Sequence, residues 1–378
     1  MNRSGYYVDN LSGEARYKSF RPAPLPPEGG LEVTDRLMKL TADARAKLSE
    51  LDAVSGLIPG AKLFISMYVR KEALISSQIE GTQCTLDDVL DPESETNANL
   101  DVSDVINYVS AALFALRRMK ELPICSRLLR ETHAVLLTNA RGEEKKPGQF
   151  RRSQNWLGPA GCAIRDARYV PPNVSDMNEC MSDLEKFING SDEYDPLINA
   201  ALIHYQFETI HPFLDGNGRI GRLLILLYII ERGLLAEPVL YISFFLKKNQ
   251  VEYYDRMTEV RRTGNYEQWI MFFLEAVAAA CADSLETVRS LSALHARNLE
   301  LVSMPGRAGA NSLRLFEYIE QHPIIDIGKT AKALNLSYNT VSSLVGKFGE
   351  KGILSRSGGL RNRTFKYAEY LDILRRDT

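Results

Sequence analysis

HPFLDGNGRIGR, the sequence of residues 211–222, lies between two mostly apolar segments. Residues 197–210 have helical periodicity and residues 223–230 are almost wholly apolar, so both segments are expected to be buried helices. Polar groups enclosed in this way need partners or a function, because burying them alone costs free energy. We therefore expect the stretch to form a site inside a mainly helical fold.

The glycines and arginines of this stretch are suited to binding phosphate. Gly216, Asn217 and Gly218 let the backbone turn its N–H groups toward one point at the start of a helix, which forms an anion-binding nest. Arg219 and Arg222 are three residues apart and share a helix face, where both can form forked hydrogen bonds with further phosphate oxygens. The pattern indicates a polyphosphate ligand.

Two further residues add metal binding and proton transfer. Asp215 is the predicted Mg²⁺ ligand, because this ion favours one or two carboxylates together with phosphate oxygens. His211 is the candidate general base. Each residue also has a structural explanation: a satisfied core histidine, ordinary turn residues, or solvated arginines at a helix start. Their coincidence within one short stretch favours the site.

The stretch resembles the Fic motif, HPFx(D/E)GNGRxxR, and matches it at every fixed position. The resemblance covers most of the chain, from about residue 17 to residue 269. Members of the Fic family transfer a nucleoside monophosphate, usually AMP from Mg-ATP, to a side-chain hydroxyl of a target protein. The resemblance implies that His211 deprotonates this hydroxyl and that Asp215 binds Mg²⁺. It implies ATP binding by the remaining motif residues, with the α- and β-phosphates at Gly216, Asn217 and Gly218 and the β- and γ-phosphates at Arg219 and Arg222.

The implied reaction, an in-line displacement at the α-phosphorus, agrees with the chemistry of these residues, because it requires mainly positioning and charge stabilisation. The kinase-type Doc relatives have lysine where this chain has Gly218, which argues against that variant.

A second motif lies upstream, where residues 72–81 predict a helix that ends at Gly81. Ser76 and Glu80 share a face of this helix. Such a string alone usually marks only a helix end, but here it is similar to the inhibitory helix of the family, (S/T)xxxE(G/N). The resemblance implies that Ser76, Glu80 and Gly81 are inhibitory, and that Glu80 pairs with Arg222 in the part of the ATP site that the γ-phosphate needs.

Two other regions are assigned by position. Residues 148–172 predict a small β-hairpin, which in the family is a target-docking flap. Ala167, Arg168 and Tyr169 are its expected nucleotide- or target-facing part, and a purely structural hairpin is the alternative. Tyr253 and Tyr254 resemble a pair that lines the adenine pocket of the family, and buried core tyrosines are the alternative.

Composition limits the class of protein. The chain has 378 residues, 45% of them hydrophobic, which is enough for a large core and two or three domains. A net charge of −2 argues against a globally basic nucleic-acid binder. Scattered cysteines without CxxC spacing predict a reducing compartment and no zinc, and we find no apolar leader or membrane-spanning run. These features predict a cytoplasmic protein without a membrane partner. The cysteines are Cys84, Cys125, Cys162, Cys180 and Cys281.

The predicted organisation has four parts. Residues 1–100 form an extended, proline-containing arm and a helical region with the inhibitory helix, residues 101–303 the catalytic core, residues 304–310 a linker, and residues 311–378 a winged helix-turn-helix. This last part has eleven basic and seven acidic residues, and its helix-turn-helix can place Thr340, Ser342, Ser343 and Lys347 near a DNA major groove. Winged helices also serve protein contacts or dimerisation, and family members often form homodimers.

The predicted fold class is therefore mainly α: a Fic-type helical core with a small β-hairpin flap, plus a C-terminal winged helix-turn-helix domain. The predicted function is transfer of AMP from ATP to Tyr, Thr or Ser of target proteins and of the chain itself, with autoinhibition by Glu80. One alternative is a bifunctional enzyme that also removes AMP. Another is a DNA-binding regulator whose core senses a nucleotide. A base, a metal ligand and an anion nest favour the enzyme, because a sensor does not need His211.

Overall fold

The computed structural model describes residues 3–55, 61–91, 99–138, 143–159, 161–190, 193–303, 305–357 and 364–376. Within these residues the fold is mainly helical, as predicted. The helices are α1 (Asp35–Ser55), α2 (Ala61–Ile79), α3 (Leu86–Leu90), α4 (Leu100–Arg118), α5 (Ser126–Leu136), α6 (Val174–Gly190), α7 (Pro196–Ile210), α8 (Asn217–Glu231), α9 (Ile242–Lys248), α10 (Gln250–Thr263), α11 (Tyr266–Val302), α12 (Gly306–Gln321), α13 (Ile327–Leu334), α14 (Tyr338–Glu350) and α15 (Ala368–Arg375). The strands are β1 (Gly5–Asn10), β2 (Tyr17–Pro22), β3 (Ile324–Asp326), β4 (Ser355–Ser357) and β5 (Thr364–Lys366).

Helices α7 and α8 form the centre of the core and pack against each other. Nearly every residue of both helices is buried, which agrees with their mostly apolar sequences. Around them, α1 packs along α11, and α2 packs against α4 and α9. The indole of Trp269 in α11 is fully buried and donates to Ala201 O of α7 at 2.8 Å. The loop that connects α7 to α8 therefore begins and ends at buried helices.

The N-terminal arm differs from the extended segment expected from the sequence. Strands β1 and β2 form a two-stranded antiparallel sheet, in which Gly5 is opposite Pro22 and Asn10 is opposite Tyr17. Phe20 of β2 also donates its backbone N–H to Val170 O at 2.9 Å. This bond attaches the arm to the region where the flap was predicted.

The predicted flap has antiparallel pairing at one position. Leu157 and Tyr169 form an isolated bridge with N···O distances of 2.8 and 3.1 Å, and a single 3-10 turn, Ile164–Asp166, lies between them. The pairing does not extend into strands there, because the intervening segment contains Pro159, which has no N–H to donate, and two glycines, Gly158 and Gly161.

The C-terminal segment combines helices α12 to α15 with a three-stranded antiparallel sheet in the order β3-β5-β4. Asp326 caps α13 by accepting from Lys329 N at 2.8 Å, and Ser337 caps α14 by accepting from Thr340 N at 3.1 Å. A winged helix-turn-helix requires these elements, and that assignment stays a prediction. Helix α12 begins at Gly306, inside the predicted linker, and the domain limits also stay predictions.

Helix α11 connects the core to the C-terminal segment by packing against both α1 and α15. Asn298, near its end, donates to the hydroxyl of Tyr367 at 2.7 Å, and both side chains are buried. Helix α12 also packs against α2. None of the described helices is both long and apolar enough to span a membrane.

Candidate active site

The loop between α7 and α8 is closed by one side chain of its own. His211 and Gly216, at its two ends, have left-handed backbone conformations with φ of 52° and 72°. The buried side chain of Asn217 accepts from Phe213 N at 2.8 Å and donates to Phe213 O at 2.9 Å. Asn217 therefore fixes the loop ahead of the first turn of α8, whose free N–H groups form the predicted nest.

Residues from the flap region hold this loop from outside. Arg151 is only 2% exposed; its backbone N–H donates to Pro212 O at 2.8 Å and its Nε to His211 O at 3.0 Å. Asn155 donates to Phe213 O at 2.9 Å. Neither side chain has a role predicted from the sequence, where only their position in the predicted flap sets them apart.

His133 of α5 is a second support that the sequence analysis missed. Its Nδ1 accepts from Gly148 N at 2.9 Å, so Nε2 carries the proton and donates to Asp215 O at 3.0 Å. Its ring stacks on Phe213 with centroids 3.8 Å apart. Burial lowers the pKa of His133 to about 4, and the ring is neutral at pH 7.

The predicted base, His211, is partly exposed at the end of α7. Its Nδ1 lies 3.3 Å from Glu208 O, and a proton placed there leaves Nε2 as the basic atom. Burial lowers the pKa of His211 to about 4, and the nearby positive charge of Arg151 acts in the same direction. His211 is therefore neutral at pH 7, as a proton acceptor must be.

The structure brings Glu80 onto both arginines of the motif. Its Oε2 accepts from Arg219 Nε and its Oε1 from Arg222 Nη2, each at 2.9 Å. The side chains of Arg219 and Arg222 are 7% and 2% exposed, and that of Glu80 is 26% exposed. Although burial raises the pKa of Glu80, the two guanidiniums outweigh it and hold this pKa below its usual value. Arg222 is the partner of Glu80 that the sequence predicts, and Arg219 is a second partner that it does not predict.

Ser76 and Gly218 complete this contact. Arg222 donates from Nε to Ser76 Oγ and from Nη2 to Ser76 O, each at 2.8 Å. A Cβ atom at Gly218 would lie 2.3 Å from Glu80 Oε1. The carboxylate of Glu80 therefore lies directly against the glycine-containing first turn of α8. Gly81 follows it with a φ of 100°, and the helix ends at Ile79, slightly before the predicted end at Gly81.

Two carboxyl groups near Arg222 were not identified from the sequence. Glu72, one turn before Ser76 on α2, accepts from the backbone N–H and the hydroxyl of Ser243, and burial raises its pKa to about 7. Burial likewise raises the pKa of Glu208 to about 7. A Cβ atom at Gly221 would lie 2.1 Å from Glu208 Oε1, which explains the glycine at this variable motif position.

Asp215 lies beside the nest with a side chain that is 42% exposed. Its Oδ1 accepts from Gly216 N at 2.7 Å and lies 3.9 Å from Arg219 Nη2. In the described ranges, no group of three or more His, Cys, Asp or Glu side chains could hold a metal ion. One accessible carboxylate next to a phosphate nest fits Mg²⁺, which takes its remaining ligands from phosphate and water.

The two predicted adenine-pocket tyrosines differ in burial. Tyr253 is 1% exposed, and its hydroxyl lies 2.8 Å from Nε2 of His204, whose Nδ1 lies 2.9 Å from Gly221 O. Tyr254 is partly exposed, with its ring centroid 4.9 Å from that of Tyr253. Tyr253 therefore links α10 to the core through His204, and adenine binding by either ring stays a prediction.

The predicted flap residues point in different directions. Arg168 is exposed and pairs with Asp255 at 3.2 Å, and Ala167 beside it is partly exposed. Tyr169 is buried and donates from its hydroxyl to Thr209 O at 2.6 Å, with the guanidinium of Arg261 4.2 Å above its ring. Tyr169 therefore anchors the flap, and Ala167 and Arg168 lie on its accessible side.

The structure has a helical core with a predicted anion nest, formed by a loop of histidine and glycines between two buried helices. Two family models match this part of the chain. Residues 38–117 match the model of the Fic/DOC family N-terminal region, and residues 123–229 match the model of the Fic/DOC family. In these two regions the chain is therefore similar to the Fic/DOC family.

Among curated relatives, the chain is 27% identical over 183 residues to Protein adenylyltransferase Fic of Drosophila grimshawi, and equally identical to that of Drosophila ananassae. These alignments cover 48% of this chain, which spans about a third of the length of either relative. A Fic family protein from Desulfovibrio desulfuricans has a similar fold, with a TM-score of 0.57 at 19% identity over 89% of this chain and 97% of that one. A Fic domain containing signaling protein from Bacteroides thetaiotaomicron, at a TM-score of 0.50 and 18% identity, covers 68% of this chain and 97% of its own.

Proposed function

We propose that this chain is a protein adenylyltransferase that transfers AMP from ATP to a Tyr, Thr or Ser hydroxyl of target proteins and of itself. The observation that carries the proposal is the pairing of Glu80 with Arg219 and Arg222 over an otherwise intact phosphate nest. Two buried guanidiniums that face a nest of free N–H groups form a polyphosphate site. The names of the curated relatives support the same activity.

The proposed reaction forms one bond and breaks one at the α-phosphorus of ATP. The acceptor hydroxyl oxygen attacks this phosphorus, its proton passes to His211, and pyrophosphate leaves. The nest at Gly216–Gly218 and the guanidiniums of Arg219 and Arg222 hold the phosphates in line and stabilise the charge that develops. The low pKa of His211 keeps its imidazole in the proton-accepting form.

Mg²⁺ belongs to the proposal as the cofactor of ATP. Asp215 would hold the ion beside the nest, where it would neutralise negative charge on the phosphates. The supporting observation is the accessible carboxylate of Asp215 next to Gly216 N. Asp215→Asn should therefore raise the Mg²⁺ concentration required for half-maximal transfer.

We propose further that Glu80 inhibits this reaction. Its carboxylate binds the two arginines that the terminal phosphates of ATP need, and it fills the space beside Gly218. ATP that binds while Glu80 is in place is therefore displaced from the in-line geometry. A small displacement is sufficient, because the reaction depends on alignment.

The test uses ATP labelled at either the α- or the γ-phosphate, with four chains: the parent, Glu80→Gly, His211→Ala and the double variant. Label from the α-position should enter the Glu80→Gly protein at least about tenfold faster than the parent, which corresponds to a coupling of about 1.4 kcal/mol. Label from the γ-position should not enter. Adding His211→Ala should lower the rate by a factor of about 10² to 10⁴.

Glu179→Gly provides a matched control, because Glu179 is an exposed helical glutamate of α6 that is remote in sequence from both motifs. It should leave the rate unchanged. Equal labelling with and without His211 would refute the catalytic assignment. Incorporation from the γ-position would identify phosphoryl transfer instead.

Removal of AMP by the same site is a variant of this proposal. Glu80 lies beside the nest with a carboxylate that, once released from the arginines, has the chemistry to accept a proton from water. Modified protein incubated without ATP should then release AMP in the presence of Glu80 and keep it after Glu80→Gly. Release at equal rates from both would exclude this variant.

DNA binding by the C-terminal segment is the second candidate function. Helix α14 exposes Ser343 and Lys347, with Thr340 and Ser342 partly exposed on the same helix. Several basic side chains of the segment bind within the chain, however, including Lys366 and Arg375. Duplex affinity that falls steeply with salt and is lost in Lys347→Glu would support DNA binding. A cytoplasmic location and a homodimer remain part of the proposal and are tested by fractionation and by mass in solution.

A further inference from the structure

Two basic residues of the C-terminal segment bind one carboxylate just after the inhibitory helix. Arg375 of α15 donates to Asp87 Oδ1 from Nε at 3.0 Å and from Nη2 at 2.6 Å, and its Nη2 is also 2.7 Å from Oδ2. Lys366 of β5 donates to Oδ2 at 2.7 Å. All three side chains are about one-third exposed or less. We call this group of Asp87, Lys366 and Arg375 the latch.

Asp87 is connected to Glu80 by a short segment that is itself held. Only six residues separate the two positions in the sequence. Thr82 N donates to Ser77 O at 3.2 Å, and Gln78 donates to Cys84 O at 2.8 Å, which ties the segment back onto the end of α2. A displacement of Asp87 is therefore transmitted to the last turn of α2.

The start of α3 is fixed as well. Thr85 and Asp88 form a reciprocal capping box, in which each side chain bonds the backbone N–H of the other. Gly81 lies between Glu80 and this held segment. Its φ of 100° is a backbone conformation that favours glycine. The position of Glu80 thus depends on where α3 is held.

The C-terminal segment also packs against the inhibitory helix, through α12 on α2. Arg375 lines a cavity of about 400 Å³ together with Leu74 and Gln78 of α2 and with Leu86 of α3. Part of the interface between α3 and α15 is therefore a cavity. The ion pairs of the latch provide the close contact.

The distribution of charge agrees with an intramolecular partner. Among the basic residues of the segment, Lys366 and Arg375 bind Asp87, Arg376 lies 4.0 Å from Glu286, and Lys351 donates to Leu301 O. Some of the basic side chains of the segment therefore bind acceptor groups of the same chain.

We propose that the C-terminal segment is the partner that holds the inhibitory helix: Lys366 and Arg375 bind Asp87 and thereby keep Glu80 on Arg219 and Arg222. The proposal rests on the proposed function, in which Glu80 is the inhibitor. Any ligand that draws the C-terminal segment away from α3 then weakens inhibition. The latch stabilises the inhibited arrangement and not the released one, so breaking it shifts the equilibrium toward release.

The test compares Asp87→Asn and Arg375→Gln with the parent in the full chain. Each should raise AMP transfer about three- to fivefold, the scale expected for partly exposed ion pairs in a network. Asp372→Asn is the matched control, because it removes a carboxylate that pairs with Arg375 Nη1 at 2.9 Å within α15 and leaves Asp87 in place. It should leave the rate unchanged. In the Glu80→Gly background, Asp87→Asn should add nothing.

Hydrogen exchange of the amides of residues 76–81 supplies a readout that does not depend on activity. Exchange should be faster in Asp87→Asn than in the parent and unchanged in Asp372→Asn. Unchanged exchange in Asp87→Asn overturns the latch, whatever the activity is. An equal activation by Asp87→Asn with and without Glu80 also overturns it. Glu80→Gly protein that fails to transfer AMP overturns the proposed function instead, and exchange still decides the latch.

Discussion

The carboxylate of Glu80 occupies the space that a side chain at Gly218 would need. A Cβ atom added at Gly218 would meet Glu80 Oε1 at 2.3 Å and Arg222 Nη1 at 2.9 Å. The absence of a side chain at Gly218 lets the glutamate approach the first turn of α8. In the proposed function the phosphates of ATP would use this same position, and the proposed inhibition by Glu80 would follow from that competition.

Gly218→Ala should destabilise the parent chain through this contact. Overpacking of this kind lowers the free energy of unfolding by about 2 kcal/mol. In a Glu80→Gly background the loss should be smaller by at least about 1 kcal/mol, because the first atom that the new methyl group meets is gone. Urea denaturation of the parent, Gly218→Ala, Glu80→Gly and the double variant measures the coupling energy between the two positions. Gly346→Ala, in α14 with no neighbouring atom within 4 Å, is the control and should not destabilise. Strictly additive effects of Gly218→Ala and Glu80→Gly would contradict the contact.

The pH dependence of AMP transfer should show no titration near the ordinary pKa of histidine. Burial lowers the pKa of His211 from 6.5 to about 4. The imidazole is then already deprotonated above about pH 5, and the rate limited by this base is lost only as the pH falls toward 4. The Glu80→Gly chain should therefore transfer AMP with a rate that does not fall between about pH 8 and pH 5.5. An acid limb with its midpoint near 6.5 would contradict the lowered pKa of His211 in its proposed role as the base.

The catalytic motif was predictable from sequence because its parts are local. A nest, a helix start and two arginines one turn apart follow from the spacing of twelve consecutive residues. Glu80, the partner of Arg222, was predictable because Ser76, Glu80 and Gly81 match the spacing of the (S/T)xxxE(G/N) motif. The assignments of His211 as base and Asp215 as metal ligand rest on residue type and stay predictions, and the structure adds the lowered pKa of His211.

The supports of the site could not be predicted in the same way. Arg151 and His133 act through backbone carbonyls of the motif, and a bond to a carbonyl leaves no pattern in the sequence of either partner. The contact of Asp87 with Arg375 joins residues that are far apart in the chain. In the flap the predicted hairpin is limited to the bridge between Leu157 and Tyr169, and Pro159 in the intervening segment has no N–H to donate.

Ser76→Ala should destabilise the chain by removing an acceptor from a buried cation. Arg222 Nε donates to Ser76 Oγ at 2.8 Å, and a buried charged donor left unsatisfied costs about 1 to 3 kcal/mol. The free energy of unfolding from urea denaturation should fall by this amount. Ser77→Ala is the matched control, because Ser77 is equally buried but its hydroxyl has no hydrogen-bond partner among the described residues. A loss as large for Ser77→Ala as for Ser76→Ala would contradict the role of this bond.

Arg151→Lys should lower the turnover of AMP transfer without weakening ATP binding. Arg151 Nε holds His211 O at 3.0 Å, and the motif histidine needs this support because its backbone has the left-handed conformation that residues other than glycine seldom adopt. Lysine keeps the charge but loses the planar fork that reaches several carbonyls at once. Displacing the base should reduce kcat of the Glu80→Gly chain about ten- to a hundredfold while KM for ATP stays the same. The neighbouring Arg152 is exposed, and Arg152→Lys should change neither constant. A rise in KM with unchanged kcat in Arg151→Lys would indicate a role in nucleotide binding rather than in positioning His211.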